Sequence, residues 1–226
     1  MKQRRQSRRT AAADRQAIRE VVENWVLWRD AGDWERFATV WHPDGWMSAT
    51  WFDGPAPAFI AASREGFERG VMILHALGGF TCDIAGARAI AQTKTTIAQR
   101  APIDGVLVDV VCTGRFYDFF EKRQRRWAIV RRQPIYEKDR IDAVDPSAAV
   151  TLDAAWLQRF PEGYRHLAYV QSKNGFTVRV GLPGLRGAAV EQLYGEGRAW
   201  LAGSGLAFSP GGSCGPMATH RSKTTP

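Results

Sequence analysis

Cysteine is scarce in this chain of 226 residues. Its three cysteines (Cys82, Cys112, Cys214) are widely spaced and odd in number, which argues against a disulfide framework or a zinc ribbon and favours a reducing cytoplasm. Histidine is almost as rare, and His42, His75 and His166 follow no ligand spacing, so neither a metal nor a cofactor is expected. No apolar run reaches the roughly 18 residues of a membrane span. The basic opening has no apolar stretch behind it and does not read as a secretory signal. The GLPGLRG stretch at 181–187 lacks the lysine and preceding strand of a phosphate loop. There is no G-x-S-x-G elbow, and no cysteine sits in a nucleophile context.

Basic charge is what the chain has in excess, at a formal +8. Lys2, Arg4, Arg5, Arg8 and Arg9 lie in the first ten residues, and Arg221 and Lys223 in the last sixteen, with no acid in either stretch. Without those seven, 24 basic side chains face 23 acidic ones. The charge therefore sits on tails that read as disordered, over 1–13 and 204–226, and the body offers no nucleic-acid platform. Six of the nine tryptophans (Trp25, Trp28, Trp34, Trp41, Trp46, Trp51) fall within 27 residues, enough to pack a core and to wall an aromatic pocket.

Ile18, Val21, Val22, Trp25 and Trp28 recur at helical steps and predict a helix over 14–30. Gly32 ends it and Asp33 caps a short second helix before Pro43. A strand over 45–52 and a third helix over 58–72 follow. From Gly79 the period is two, predicting strands over 80–85, 89–99, 105–121 and 126–136, the third of them strongly curved or bulged near Gly114. The result is an α+β fold: a curved antiparallel sheet wrapped around N-terminal helices, with a cavity between them. Beyond Asp145-Pro146, an α/β extension over 147–203 holds a helix over 152–160, a hairpin turning at Asn174-Gly175 and a helix over 187–202. About sixty residues are marginal alone, so the extension should pack on the first unit or on a neighbouring subunit.

Over 14–146 this organisation resembles the SnoaL-like branch of the NTF2-like superfamily. The residues that carry the resemblance are the helix ending at Asp30, the lone His75 before the strand meander, and the Trp127-Ala128-Ile129-Val130-Arg131-Arg132 segment. It is similar to scytalone dehydratase, hexachlorocyclohexane dehydrochlorinase and the γ-formaldehyde lyases of lignin-derived diarylpropane diols. The resemblance implies a cone-shaped fold, a cofactor-independent lyase working on a small aromatic substrate, and a homo-oligomer (trimer or dimer).

It also implies that His75 is the general base, Asp30 its orienting carboxylate and Arg132 the anchor for an anionic or phenolic oxygen. Read from residues alone, Asp30 could equally cap or pair on the surface and His75 could be a core residue. Arg132 could instead be held in an ion pair, with Asp109 a candidate partner. Trp28, Trp46, Trp51 and Phe116 are candidate pocket walls or core. Tyr117 and Tyr136 are candidate phenols for polarising a substrate oxygen, or strand-end tyrosines. A dehydratase or dehydrohalogenase on another aromatic or cyclic substrate, a ketosteroid-isomerase-like isomerase, which a second pocket carboxylate such as Asp109 would favour, and a non-catalytic binding cone or dioxygenase β-subunit-like protein remain as alternatives.

Overall fold

A computed structural model describes residues 2–206, with the side chains of 2–9 left aside. The first helix, α1 (Lys2–Ala31), runs through the stretch expected as a basic tail. Arginine, glutamine and alanine are strong helix formers, and no breaker separates residues 2–13 from the amphipathic part. The C-terminal tail expected from residue 204 lies, from 207 onward, outside the described residues. The first helix ends in a left-handed Gly32 (φ +72°), with Asp33 N–H bonded to Trp28 O at 2.8 Å, and Asp33 caps α2 (Trp34–Thr39) through the Arg36 N–H.

Next come β1 (Trp41–Ser48), β2 (Asp53–Pro55) and α3 (Ala56–Glu68), then four long strands: β3 (Met72–Ala85), β4 (Arg88–Ile103), β5 (Val106–Arg123) and β6 (Arg126–Ala143). They form one curved six-stranded sheet in the order β2-β1-β6-β5-β4-β3, mixed α+β as expected. The β3–β6 meander is antiparallel and β1 joins β6 in parallel. The third helix is shorter than expected and β3 starts earlier. Met72, Leu74 and Ala76 face outward while Ile73, His75 and Leu77 are turned to the core side. Apolar residues on both faces hide that alternation in the sequence. His75 consequently lies on a strand and not at a helix end. Among the described residues, no helix is long and apolar enough to cross a membrane.

The concave face of the sheet packs on α1, α2 and α3 through Ile18, Val22, Trp25, Phe37, Phe59, Phe116 and Ile129. The expected bulge is not on the third meander strand: at Thr113/Gly114 the β5–β6 register shifts because β6 carries the extra residue, Glu137. A β-carbon on Gly114 would lie 2.0 Å from the Ile135 carbonyl oxygen. Gly114→Ala is therefore expected to cost about 1–3 kcal/mol, read as a lowered urea midpoint at unchanged slope.

Beyond β6 the expected helix shrinks to α4 (Ala154–Leu157), and the expected hairpin is absent. Its place is taken by a 3-10 turn and α5 (Arg165–Lys173), closed by a left-handed Gly175 (φ +85°) whose neighbour Phe176 bonds Gln171 O at 3.0 Å. Asn-Gly supplies positive φ to a helix cap as readily as to a hairpin, and only the tertiary contacts decide which. The fifth helix packs on β4, β5 and β6 through Leu167, Ala168 and Val170. The last helix, α6 (Ala188–Leu201), covers Tyr117, Phe119 and Val130 on the convex face.

Candidate active site

Asp30 is the penultimate residue of α1, and His75 is the fourth residue of β3, on the strand's core-facing side. The pairing of α1 with β3 brings them together. The Asp30 carboxylate accepts the His75 backbone N–H through Oδ2 at 2.6 Å and meets the ring Nδ1 through Oδ1 at 2.8 Å. Two bonds to one carboxylate fix both the strand position and the imidazole plane. With Asp30 ionised, Nδ1 carries the proton and Nε2 keeps its lone pair. The ring makes no other hydrogen bond among the described residues; it sits edge-on to Trp25, with centroids 5.3 Å apart, and tilted over Phe116.

Burial pushes the His75 pKa below its ordinary value, and the charges of Arg29 and Arg132 act the same way, with Asp30 opposing. For Asp30, burial acts upward but is outweighed by the His75 hydrogen bonds and the Arg29 charge, which hold it below the usual carboxylate range. The resting pair is thus carboxylate and neutral imidazole.

His75 opens onto a small inner chamber of about 40 Å³. Its apolar wall includes Trp25, Met47, Phe59, Ile97, Phe116 and Leu167, and its polar edge is formed by Arg29, Thr50, Gln99, Tyr136 and Gln171. Arg29, Trp51, Ile73, Gln99 and Gln171 also line a wider outer cavity of about 220 Å³ between α3 and the Gly175–Thr177 loop. Leu167 and Gln171 come from the extension, so α5 closes one side of the chamber. Thr50 donates to Gln171 Oε1 at 2.7 Å, and Gln171 donates on to Gln99 at 3.2 Å. Burial raises the Tyr136 phenol well above its ordinary range, so it stays protonated beside Thr50.

Of the aromatic residues singled out from sequence, Trp51, Phe116 and Tyr136 line the chamber; the others do not. Trp28 packs half-buried against the core. Trp46 donates its indole N–H to Asp53 at 3.0 Å, away from the cavity. Tyr117 is on the convex face beneath α6, where a β-carbon on Gly197 would lie 1.9 Å from its hydroxyl. Strand alternation explains this: Phe116 points into the cone, so Tyr117 cannot.

Arg132 faces the cone and Arg131 faces out, but Arg132 does not line the chamber. It is wholly buried in a bidentate pair with Asp118, both contacts at 2.7 Å, with its guanidinium 4.3 Å from the Trp25 ring centroid and 3.9 Å from that of Phe116. Its partner is the residue directly across on β5. Asp109, the partner considered from sequence, instead pairs with Arg100 on the surface. The structure thus places Arg132, expected as the substrate anchor, in a buried ion pair against Trp25 and Phe116 and off the chamber lining.

The other described histidines stand apart, His42 bonded to the Glu121 carbonyl and His166 to Asp139. Sequence reasoning missed Arg29, Gln99 and Gln171. For Arg29 the signal is present, because it continues the buried line of Ile18, Val22 and Trp25 at steps of four, three and four.

Residues 10–133 match the family model described as a SnoaL-like domain. Over 203 residues the chain is 34% identical to pea pathogenicity protein 2 of Fusarium vanettenii, covering 85% of this chain and 87% of that protein. A proposed scytalone dehydratase of Novosphingobium aromaticivorans superposes with a TM-score of 0.50 at 16% identity, over 63% of this chain and 98% of that one. A hexachlorocyclohexane dehydrochlorinase does so with a TM-score of 0.50 at 10% identity, over 64% and 97%. At such identities the likeness to these two is one of fold.

Proposed function

The chain belongs to the SnoaL-like domain family, and from that premise we propose that it is a lyase in which His75 removes a proton from a small, largely apolar substrate held in the inner chamber. The observation that carries this reading is the Asp30–His75 pair, an oriented neutral imidazole at the wall of an apolar chamber. Nε2 takes the proton, and the electron pair of the broken C–H bond becomes the new double bond. The group on the neighbouring carbon leaves with its own bonding pair. When that group is a hydroxyl, the protonated Tyr136 phenol supplies the proton that turns it into water. Asp30 stabilises the imidazolium formed on the way, and the apolar wall strengthens that attraction by keeping water out.

Within this class the substrate we favour is a phenolic diarylpropane diol, whose two rings would occupy the inner and outer cavities together. Its para-phenol would help expel the benzylic hydroxyl as water. His75 would then take the proton of the γ-hydroxyl, the Cβ–Cγ pair would become the stilbene double bond, and Cγ would leave as formaldehyde. The isomerase alternative is weaker, because no carboxylate lines the chamber among the described residues and Asp109 is on the surface.

Mass spectrometry decides among these. The protein is mixed with aryl-1,3-propanediols, β-hydroxy aryl ketones and halogenated rings in buffer with a chelator. Loss of water plus formaldehyde, abolished in His75→Ala, is the expected outcome. Loss of water or hydrogen halide alone would keep the lyase and change the substrate. No mass change across the panel would overturn the lyase.

A further inference from the structure

Arg29 is one of the most buried cations in the protein, at 7% exposure, and it lines both cavities. Its Nη1 donates to Asp30 Oδ1 at 3.2 Å and to the Ile73 carbonyl at 2.9 Å. Among the described residues neither Nε nor Nη2 makes a hydrogen bond, and Nε is sealed from solvent. A guanidinium has five N–H donors in a planar fork, and the Nε–Nη2 edge is one of the edges that meets a carboxylate with two parallel bonds. Buried donors left without acceptors are costly and uncommon in folded proteins, so an unfilled edge beside a cavity marks a place where an acceptor belongs.

The surroundings favour a negative one. No carboxylate lines the inner chamber among the described residues. Asp30 pairs with Arg29 through Nη1 and with His75, which leaves Nε and Nη2 of Arg29 unmet, and the other nearby guanidinium, Arg132, has its charge balanced by Asp118. Sequence position adds a geometric consequence. Arg29 directly precedes Asp30, and its Nη1 holds the carbonyl of Ile73, two residues before His75. A group gripped by Arg29 is therefore placed relative to the imidazole by a rigid helix end and one strand.

We propose that Arg29 is the anchoring residue of the chamber, binding an oxyanion on the substrate, a carboxylate or phenolate, through Nη2, the guanidinium nitrogen that is neither bonded nor sealed. The assignment rests on the chamber being the substrate site, and it narrows the substrate to a small apolar molecule with an anionic oxygen at one end. The anchor positions the substrate and takes no part in the proton transfer.

Trp25 and Trp51 line the cavities, so ligand entry is readable as a change in tryptophan fluorescence. The probes are 3-phenylpropanoate and its neutral isostere 3-phenylpropanamide, titrated at neutral pH. Native protein should bind the acid at least about tenfold more tightly than the amide, equivalent to about 1.4 kcal/mol. Arg29→Met should abolish that preference and Arg29→Lys should retain part of it. His75→Ala should leave it intact, so the anchor can stand even if the lyase reading falls. Equal affinities for the two probes in the native protein, no saturable binding of either, or a preference that persists in Arg29→Met would each overturn the proposal. The native comparison needs no variant to fold, and Arg29→Gln offers a second neutral replacement closer in polarity.

Discussion

Asp118→Asn should lower the stability of the protein by about 3–5 kcal/mol, the usual cost of removing one partner from a buried ion pair. Asp118 and Arg132 are both fully buried and joined by two contacts of 2.7 Å. Burial drives the Asp118 carboxyl upward and Arg132 pulls it back. With an amide in its place, the guanidinium stays in the core between Trp25 and Phe116 without a counter-charge. Arg132 Nη1 already lacks a partner, so there is no spare acceptor to take over. Against a typical total of about 5–15 kcal/mol, a loss of this size is a large fraction of what keeps the chain folded. Thermal unfolding should show a midpoint lower by about 6–20 °C. Replacing both residues, as Asp118→Leu with Arg132→Met, should recover most of the loss, because the charge and its counter-charge then disappear together. A single-variant cost below about 1 kcal/mol would show that water reaches the pair.

The second large effect concerns the dyad. His75→Ala should reduce turnover of whichever panel substrate reacts by about 10²–10⁴-fold, the range expected for a positioned general base. The working form is the neutral imidazole, and burial sets its pKa below 6.5. Activity should therefore hold as pH falls through 6.5 and decline only at lower pH. Asp30 raises the imidazole pKa, so Asp30→Asn should move that decline to still lower pH while reducing the maximal rate. A structural role alone would lower the rate without shifting the profile. An acidic limb that moves upward in Asp30→Asn would contradict the assignment.

The same shift acts on stability. Between the folded pKa of His75 and 6.5 the unfolded chain binds more protons than the folded one. This contribution is therefore complete above 6.5 and is lost as pH falls toward the folded value.

How much of this was legible in the sequence differs by residue. The end of α1 at Gly32 and the cap at Asp33 are local events, governed by a positive φ and by one side chain reaching a backbone N–H two or three residues on. They are readable without knowing the fold. The strands after Gly79 are likewise written in a period of two, and Gly114 marks the close approach to the Ile135 carbonyl, although the extra residue of the register shift, Glu137, is on β6.

The order of helices and meander fixes the fold class and, through the resemblance it carries, points to Asp30 and His75. It does not say that the strand begins at Met72, because apolar side chains on both faces of Met72–Leu77 erase the alternation that would announce it.

What the tertiary structure alone decided is which face each alternating residue meets and who its partner is. Phe116 and Tyr117 are neighbours in sequence, yet one walls the chamber and the other lies beneath α6, since strand geometry separates faces without naming what covers them. Arg132 is balanced by Asp118 and not by Asp109, a matter of cross-strand register that charge counting cannot supply. Asn174-Gly175 caps a helix because the preceding turn found a sheet to pack on. Arg29 continues the buried line of α1 in the sequence, but only the tertiary structure sets it against a cavity. Local chemistry is a property of the chain, whereas a cavity exists only between elements that the chain has first to bring together.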